Sequence, residues 1–220
     1  GRKYKKEERL KELREASVNE PTKVSYRPFD IQYMYYTQKS ECWINSPRSE
    51  VMRNYVNRDN LGLLLTKAVR DSLYNHVFLT KNISEVIFLS GTTATNAMNL
   101  PLYIYSDDGS RAPNLKKEIV AEIEKTLGKA TPEDIFDYIY AVLHSPSYRE
   151  KYKEFLKIDF PRVPYPKDKK QFFALAALGK ELREIHLLES SKLNQPITSY
   201  SVAGSDTVEK ISYKDGNVFI

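Results

Sequence analysis

The sequence is poor in the residues and motifs that mark many enzyme classes. Of its 220 residues one is a cysteine, Cys42. A single thiol excludes an internal disulfide framework and any zinc site built from several cysteines, and points to a reducing cytoplasm. Beside Trp43 it reads as a small buried side chain. No apolar run approaches the roughly 20 residues that span a bilayer, so no membrane partner is expected. The start, Gly1-Arg2-Lys3-Tyr4-Lys5-Lys6, lacks the apolar stretch of a secretory signal. There is no phosphate-cradling P-loop, no G-x-G-x-x-G, no G-x-S-x-G nucleophile elbow and no H-E-x-x-H. Internal repeats and low-complexity tracts are absent as well.

The three histidines, His76, His144 and His186, lie far apart in sequence. His144-Ser145 has the residue types of a base and nucleophile, but Ser145 followed by Pro146 reads as a helix cap and His144 as the end of the preceding helix. His186 falls mid-helix among apolar residues and reads as a packed or half-exposed ring. Amino-methyltransferases acting on DNA use an Asn/Asp-Pro-Pro-aromatic loop. Asp159-Phe160-Pro161-Arg162 begins similarly, but has phenylalanine for the first proline and arginine for the aromatic. It reads as a proline-terminated link between helices. No catalytic, cofactor-binding or metal-binding residue is expected within this stretch.

What the chain does contain is charge and tyrosine. Hydrophobic residues make up 41% and charged residues 29%, ordinary values for a globular chain long enough for one core or one domain with an appended subdomain. The net charge of +5 favours polyanionic partners. Tyrosine occurs 16 times against one tryptophan; it can stack on bases, bond phosphates or fill a core with a wet tip.

The patterning predicts an α+β fold: a β-rich segment, a helical subdomain and a C-terminal β-hairpin. Lys3 to Glu15 reads as a highly charged connector helix, with Glu7 and Lys11 correctly ordered for a helix pair and Leu10 and Leu13 as its apolar anchors. Ile31, Tyr33 and Tyr35 alternate as a strand that Pro28 opens or precedes. Ser46-Pro47 predicts a capped helix to about Val56. Leu61 to Thr66, His76 to Thr80, Glu85 to Ser90 and Leu100 to Tyr105 read as strands, and Gly91 to Asn96 as a polar loop of small residues. Asn114 is expected to cap a helix stopped by Gly128. Thr131-Pro132-Glu133-Asp134 starts another. Asp168 with Gln171 caps a long helix to about Glu189, with Phe172, Leu175, Ala176, Leu178, Leu182, Ile185 and Leu188 as its apolar side. Ser199 to Ala203 and Val208 to Tyr213 read as strands, and Asp215-Gly216 as a hairpin turn into Val218-Phe219-Ile220. That last strand has no polar run-out, which suggests a chain truncated there. The expected divisions are a connector helix (1–17), a β-rich target-recognition part (18–106), a helical subdomain (107–195) and a hairpin tail (196–220).

Cations and amides crowd Arg27 to Lys81. Arginine and lysine clamp phosphate or read guanine; asparagine and glutamine read adenine. A DNA surface built from Arg27, Gln38, Lys39, Asn45, Arg48, Arg53, Arg58, Lys67, Arg70 and Lys81 is one reading, and an ordinary solvated face the other. Thr92, Thr93 and Asn96 add hydroxyls and an amide on the polar loop, which serves phosphate binding or is a plain turn.

Several stretches resemble the C-terminal specificity region of type ISP and related single-chain restriction-modification enzymes. They are Tyr26-Arg27-Pro28-Phe29-Asp30 with Tyr35-Tyr36, Pro47-Arg48-Ser49-Glu50-Val51-Met52, Leu100-Pro101-Leu102-Tyr103 and Arg111-Ala112-Pro113-Asn114-Leu115. The longest runs from Thr131-Pro132-Glu133-Asp134-Ile135-Phe136 through Tyr138 to Pro146, and on through Tyr148-Arg149 and Tyr152 to Asp159-Phe160-Pro161-Arg162-Val163-Pro164. Ala177-Leu178-Gly179 and His186-Leu187-Leu188-Glu189 complete it. The resemblance implies a parent enzyme with a nuclease, in many members an ATP-driven motor, and an adenine-specific DNA methyltransferase using S-adenosylmethionine. No cofactor is expected in this stretch; the resemblance leaves S-adenosylmethionine, Mg and ATP as candidate cofactors of the parent. The family pattern continues past the final strand into a helical end that this sequence lacks. The implied function is to recognise the target in double-stranded DNA, positioning it for methylation and cleavage by other domains of the same polypeptide. Phosphate contacts are expected from Lys39, Arg48, Arg53 and Lys81, and base contacts between Gln38 and Asn96. An inter-domain docking scaffold without base readout is the alternative, and an independent hydrolase using His144, Ser145 or Cys42 a disfavoured third.

Overall fold

The computed structural model describes residues 6–15, 20–38, 44, 46–69, 74–89, 95–197, 199, 203–205, 207 and 210–219. The fold is α+β, and the chain divides into two compact units, Gly1–Ser190 and Ser191–Ile220.

The larger unit opens with helix α1 (Lys6–Glu15). Its Glu12 is buried and accepts from the Thr37 hydroxyl, which ties a charged helix to the chain after the first hairpin. That hairpin pairs β1 (Thr22–Arg27) with β2 (Asp30–Met34) through a turn at Pro28 and Phe29, where Phe29 takes φ 65°. Only β2 was legible in the alternation. Tyr35 lies beyond the strand, because the chain leaves the sheet at Met34.

The expected helix from Ser46 begins later and is shorter. The Tyr36 hydroxyl donates to the carbonyl of Pro47 at 2.6 Å, which holds the chain out of helical geometry there. Arg48 takes the cap position in the left-handed region, with no side-chain cap, and α2 covers only Ser49–Met52. Tyr55 then packs with Val24, Tyr36 and Ile83 in a small core of its own.

β3 (Gly62–Leu65), β4 (Val77–Thr80) and β6 (Met98–Pro101) form an antiparallel sheet in the order β4-β3-β6. A Cβ at Gly62 would lie 2.0 Å from the Tyr55 hydroxyl and 2.6 Å from Asn99 Oδ1, so a larger residue there would have to displace both side chains. Within the strand expected from Glu85 to Ser90, residues 86–89 are instead a turn, and Ser90 lies outside the described residues. The true strand is β5 (Ile83–Ser84), parallel to β1. The Glu85 carboxylate accepts from the Ile87 amide at 2.8 Å, and Ala97 donates to Val86 at 2.6 Å; both bonds curl the apolar run back on itself. Leu100 to Tyr105 likewise splits. Pro101 offers no N–H to extend a ladder, and the Leu102 amide turns aside to the carbonyl of Leu61 at 2.7 Å. β7 (Tyr103–Tyr105) then pairs with β8 (Arg111–Pro113).

Helix α3 (Lys117–Leu127) is not capped by Asn114, whose side chain donates to the carbonyl of Pro101 at 3.0 Å; Lys116 holds the cap position. Gly128, at φ 77°, closes it as the sequence predicts. The start signals at Thr131, Ser145 and Asp168 all act as read. They cap α4 (Pro132–His144) with a complete capping box, α5 (Pro146–Lys151) and α6 (Lys169–His186).

α4 and α6 pack closely, and the contact line on α6 is Phe172, Ala176, Gly179 and Arg183. The first three are buried, and Arg183 bonds the Asp137 carboxylate through Nε at 2.7 Å and Nη2 at 3.0 Å. Leu178 lies about 100° around the helix from Gly179 and is 62% exposed, which corrects its expected inward placement. Leu188 is also exposed, beyond the helix end in the left-handed region. Leu63, Leu65, Val77 and Leu79 from the sheet share one core with Ile135, Phe136, Tyr140, Leu143 and Phe172 from the helices.

In the smaller unit a 3-10 turn covers Ser191–Asn194, and β9 (Ser212–Lys214) pairs with β10 (Asn217–Phe219). Asp215 and Gly216 both have positive φ, as their turn type demands. Of the strand expected from Val208 to Tyr213, Val208 and Glu209 lie outside the described residues, Lys210 and Ile211 are not in a strand, and Ser212 and Tyr213 are in β9. Ser199 and Ala203 are not in a strand, and residues 200–202 lie outside the described ones.

Candidate functional site

Two buried asparagines organise the β7–β8 hairpin. Asn54 is fully buried; its Nδ2 donates to the carbonyls of Glu50 and Val51, and its Oδ1 accepts from the Tyr105 amide at 2.8 Å. Asn60 donates to the carbonyls of Asn54 and Tyr103 and accepts from the amides of Leu61 and Tyr103. The two side chains supply the bonds a further strand would have made, and they fix β7 against the segment after α2.

Three arginines gather on that frame. Arg53 donates through Nη2 to the Tyr105 carbonyl and to Asp107, each at 3.0 Å. Arg58 lies over the Tyr105 ring at 5.0 Å, and Arg111 over the Tyr103 ring at 4.1 Å. Arg111 also donates to the carbonyl of Asp59 at 3.2 Å, which the Tyr105 hydroxyl reaches at 2.6 Å. All three arginines are solvent-exposed. Tyr103 donates to Glu133 at 2.6 Å; burial, with that carboxylate, pushes its hydroxyl up to about 12.

A second grouping lines a cleft of about 400 Å³. Arg27 reaches it from β1, held by Glu85 at 2.7 Å, and Lys81 from the end of β4, held by Glu189 at 2.6 Å.

The sequence-predicted residues therefore fall in different places. Arg27 and Lys81 share the cleft, and Arg53 and Arg58 pack against the hairpin that carries Arg111. Arg48 is exposed at the start of α2, with no side-chain hydrogen bond or ion pair among the described residues; Gln38 and Asn96 are exposed elsewhere. Lys39, Asn45, Arg70, Thr92 and Thr93 lie outside the described residues, as does Cys42. Arg58 belongs to the run of cations between Arg27 and Lys81, whereas Arg111 lies outside it. The signal for Arg111 was its place in the Arg111-Ala112-Pro113 stretch, but nothing local showed that it stacks on Tyr103.

His144 and Ser145 do not form a catalytic pair. The Ser145 hydroxyl accepts from the Tyr148 amide and contacts Ser147, while His144 Nδ1 meets Arg149 at 3.1 Å. Burial, then Arg149 and His186, holds His144 down to about 4. His186 is packed as expected, stacked on Phe78 with its Nδ1 2.6 Å from the Tyr140 hydroxyl. Asp159-Phe160-Pro161-Arg162 is an irregular link ahead of α6. Among the described residues no cluster of three His, Cys, Asp or Glu could hold a metal, and no helix is long and apolar enough to cross a membrane.

Comparison with known proteins places this arrangement. No curated protein sequence matches the chain. Among solved structures, DrdV in its DNA complex, determined by cryo-electron microscopy, is 28% identical with a TM-score of 0.64, over 76% of this chain and 16% of that one. A nuclease-deletion mutant of the type ISP restriction-modification enzyme LlaGI, in complex with a DNA substrate mimic, is 25% identical with a TM-score of 0.55, over 76% and 13%. The ATP-dependent type ISP enzyme LlaBIII bound to DNA shares the fold at 24% identity and a TM-score of 0.57, over 76% and 10%. The chain thus spans a sixth or less of these proteins. The family described as the type ISP C-terminal specificity domain matches residues 2–220, and the chain belongs to that family.

Proposed function

We propose that this domain recognises a target in duplex DNA and holds it for adenine methylation and cleavage by other parts of a longer cytoplasmic restriction-modification polypeptide. S-adenosylmethionine, Mg and ATP would serve those other parts. The observation that carries this reading is the fold shared at 28% identity with DrdV, whose structure is a DNA complex.

The arginine group at the β7–β8 hairpin, Arg111 on it and Arg53 and Arg58 packed against it, supplies the chemistry. Arg53, Arg58 and Arg111 carry charge on a rigid frame, and Arg48 adds one more exposed guanidinium nearby in sequence. Asp107, the partner of Arg53, is 95% exposed, and such a pair is worth roughly 0–1 kcal/mol, so a phosphate displaces it at little cost. Arg27 and Lys81 are held by less exposed carboxylates and act as secondary contacts. In this reading Lys39, Arg70, Thr92 and Thr93 contact phosphate, and Gln38, Asn45 and Asn96 read bases. The test is titration of a labelled mixed-sequence duplex at low salt. The wild-type chain is expected to bind, and a variant with Arg53, Arg58 and Arg111 all changed to Ala to bind at least roughly ten-fold more weakly. Equal binding by both would contradict the assignment.

A second role, docking against neighbouring domains, is favoured by Phe155 and Ile158, each 69% exposed just after α5. Changing both to Ser should leave DNA binding by this chain intact while weakening assembly of the parent.

A further inference from the structure

The cleft has a composition that duplex contact does not explain. Its first wall is one face of the β1–β2 hairpin: Lys23, Ser25 and Arg27 alternate along β1, and Phe29, Ile31 and Tyr33 alternate from the turn along β2. Phe29 and Tyr33 are 57% and 63% exposed. Phe78 and His186, which also line the cleft, stack with centroids 5.0 Å apart and planes 19° from parallel. Phe29 stands edge-on to Phe78 at 5.3 Å. The Tyr140 hydroxyl fixes the His186 ring. Cations surround this aromatic slot: Lys23, exposed and without an ion pair among the described residues, with Arg27 and Lys81 held in place by Glu85 and Glu189. Phe29 and Leu188, which both line the cleft, have left-handed backbones at non-glycine residues, a strain that gathers at working sites.

Aromatic faces interleaved with cations on an exposed sheet form a platform on which an unstacked base can lie while its phosphate is neutralised. The volume of about 400 Å³ suits one small planar ligand and is far too small for a duplex. We propose that the cleft bounded by Phe29, Tyr33, Phe78 and His186, and rimmed by Lys23, Arg27 and Lys81, receives a single unpaired nucleotide of the bound DNA. The inference rests on the DNA-recognition reading and deepens it. A base inside a duplex cannot enter the cleft without leaving the stack, so a nucleotide that is already unpaired spares that cost.

The test compares two duplexes of the same sequence, one fully paired and one with a single bulged thymidine, titrated with the whole chain. The bulged duplex is expected to bind roughly ten-fold tighter. Phe29→Gly, which also relieves the backbone, and Lys23→Ala should each shrink that preference while leaving affinity for the paired duplex unchanged. A photoreactive thymine analogue in the bulge should cross-link to residues of the cleft. Equal affinity for the two duplexes, or cross-links mapping outside the cleft, overturns the proposal and leaves the cleft to a polypeptide partner. If neither duplex binds, the DNA-recognition reading itself falls, and the nucleotide site falls with it.

Discussion

Asn54 and Asn60 show how a buried polar side chain can act as a piece of backbone. Asn60 reaches backbone groups 43 residues away in sequence and Asn54 an amide 51 residues away. Replacing Asn54 by Ala strands the Tyr105 amide and should cost roughly 1–3 kcal/mol in denaturant unfolding, with the loss of the hairpin arginine geometry reported by weaker DNA binding. An unchanged midpoint would show that the clamp is dispensable. His144 acts through titration. Burial beside Arg149 and His186 holds it down to about 4, and burial also lowers His186. Unfolded, both rings titrate near 6.5, so the unfolded chain takes up protons that the folded chain refuses. Stability present at neutral pH is therefore lost as the pH falls from about 6.5 towards 4. His144→Gln should flatten that dependence by up to roughly 1.4 kcal/mol per pH unit, measured by urea unfolding between pH 7 and 5. Parallel curves for the two proteins would contradict the assignment. Neither role was legible in the sequence, since both depend on partners that only the folded chain brings near.

The helices were the most legible elements. Thr131, Ser145 and Asp168 each announced a start through local hydrogen bonds that need no tertiary context. Elements governed by distant partners were read less well. Val86 to Leu89 have strand-like composition, but the Glu85 side chain and Ala97 curl them into a turn. β1 escaped notice because its burial pattern does not alternate cleanly. Gly179 gave no local hint of its role either. It lets α6 approach α4 so closely that a Cβ would lie 1.9 Å from the Asp137 carbonyl oxygen. Gly179→Ala must push the helices apart and disturb the Arg183–Asp137 pair. The expected loss is about 1–3 kcal/mol in thermal or denaturant unfolding, against the small gain an alanine brings to an unconstrained helix. A stabilised variant would contradict the packing described for these two helices.

At the scale of the whole molecule, the sheet of β3, β4 and β6 and the helices α4 and α6 share one core, so the basic hairpin is presented on a rigid body and not on a detached loop. The net charge of +5 and the family resemblance were visible in the sequence, but the packing of Arg53 and Arg58 against the hairpin that carries Arg111 was not, because it depends on bonds between the segment after α2 and a hairpin some 50 residues further on. The central claim is that cations of this domain neutralise several phosphates of a duplex at once. Its most direct test is the affinity of the whole chain for duplex DNA across a salt series. Log affinity should fall linearly with log salt at a slope of about −3 or steeper, about one unit shallower for Arg111→Ala. A slope near zero, unchanged in Arg111→Ala, would contradict the account.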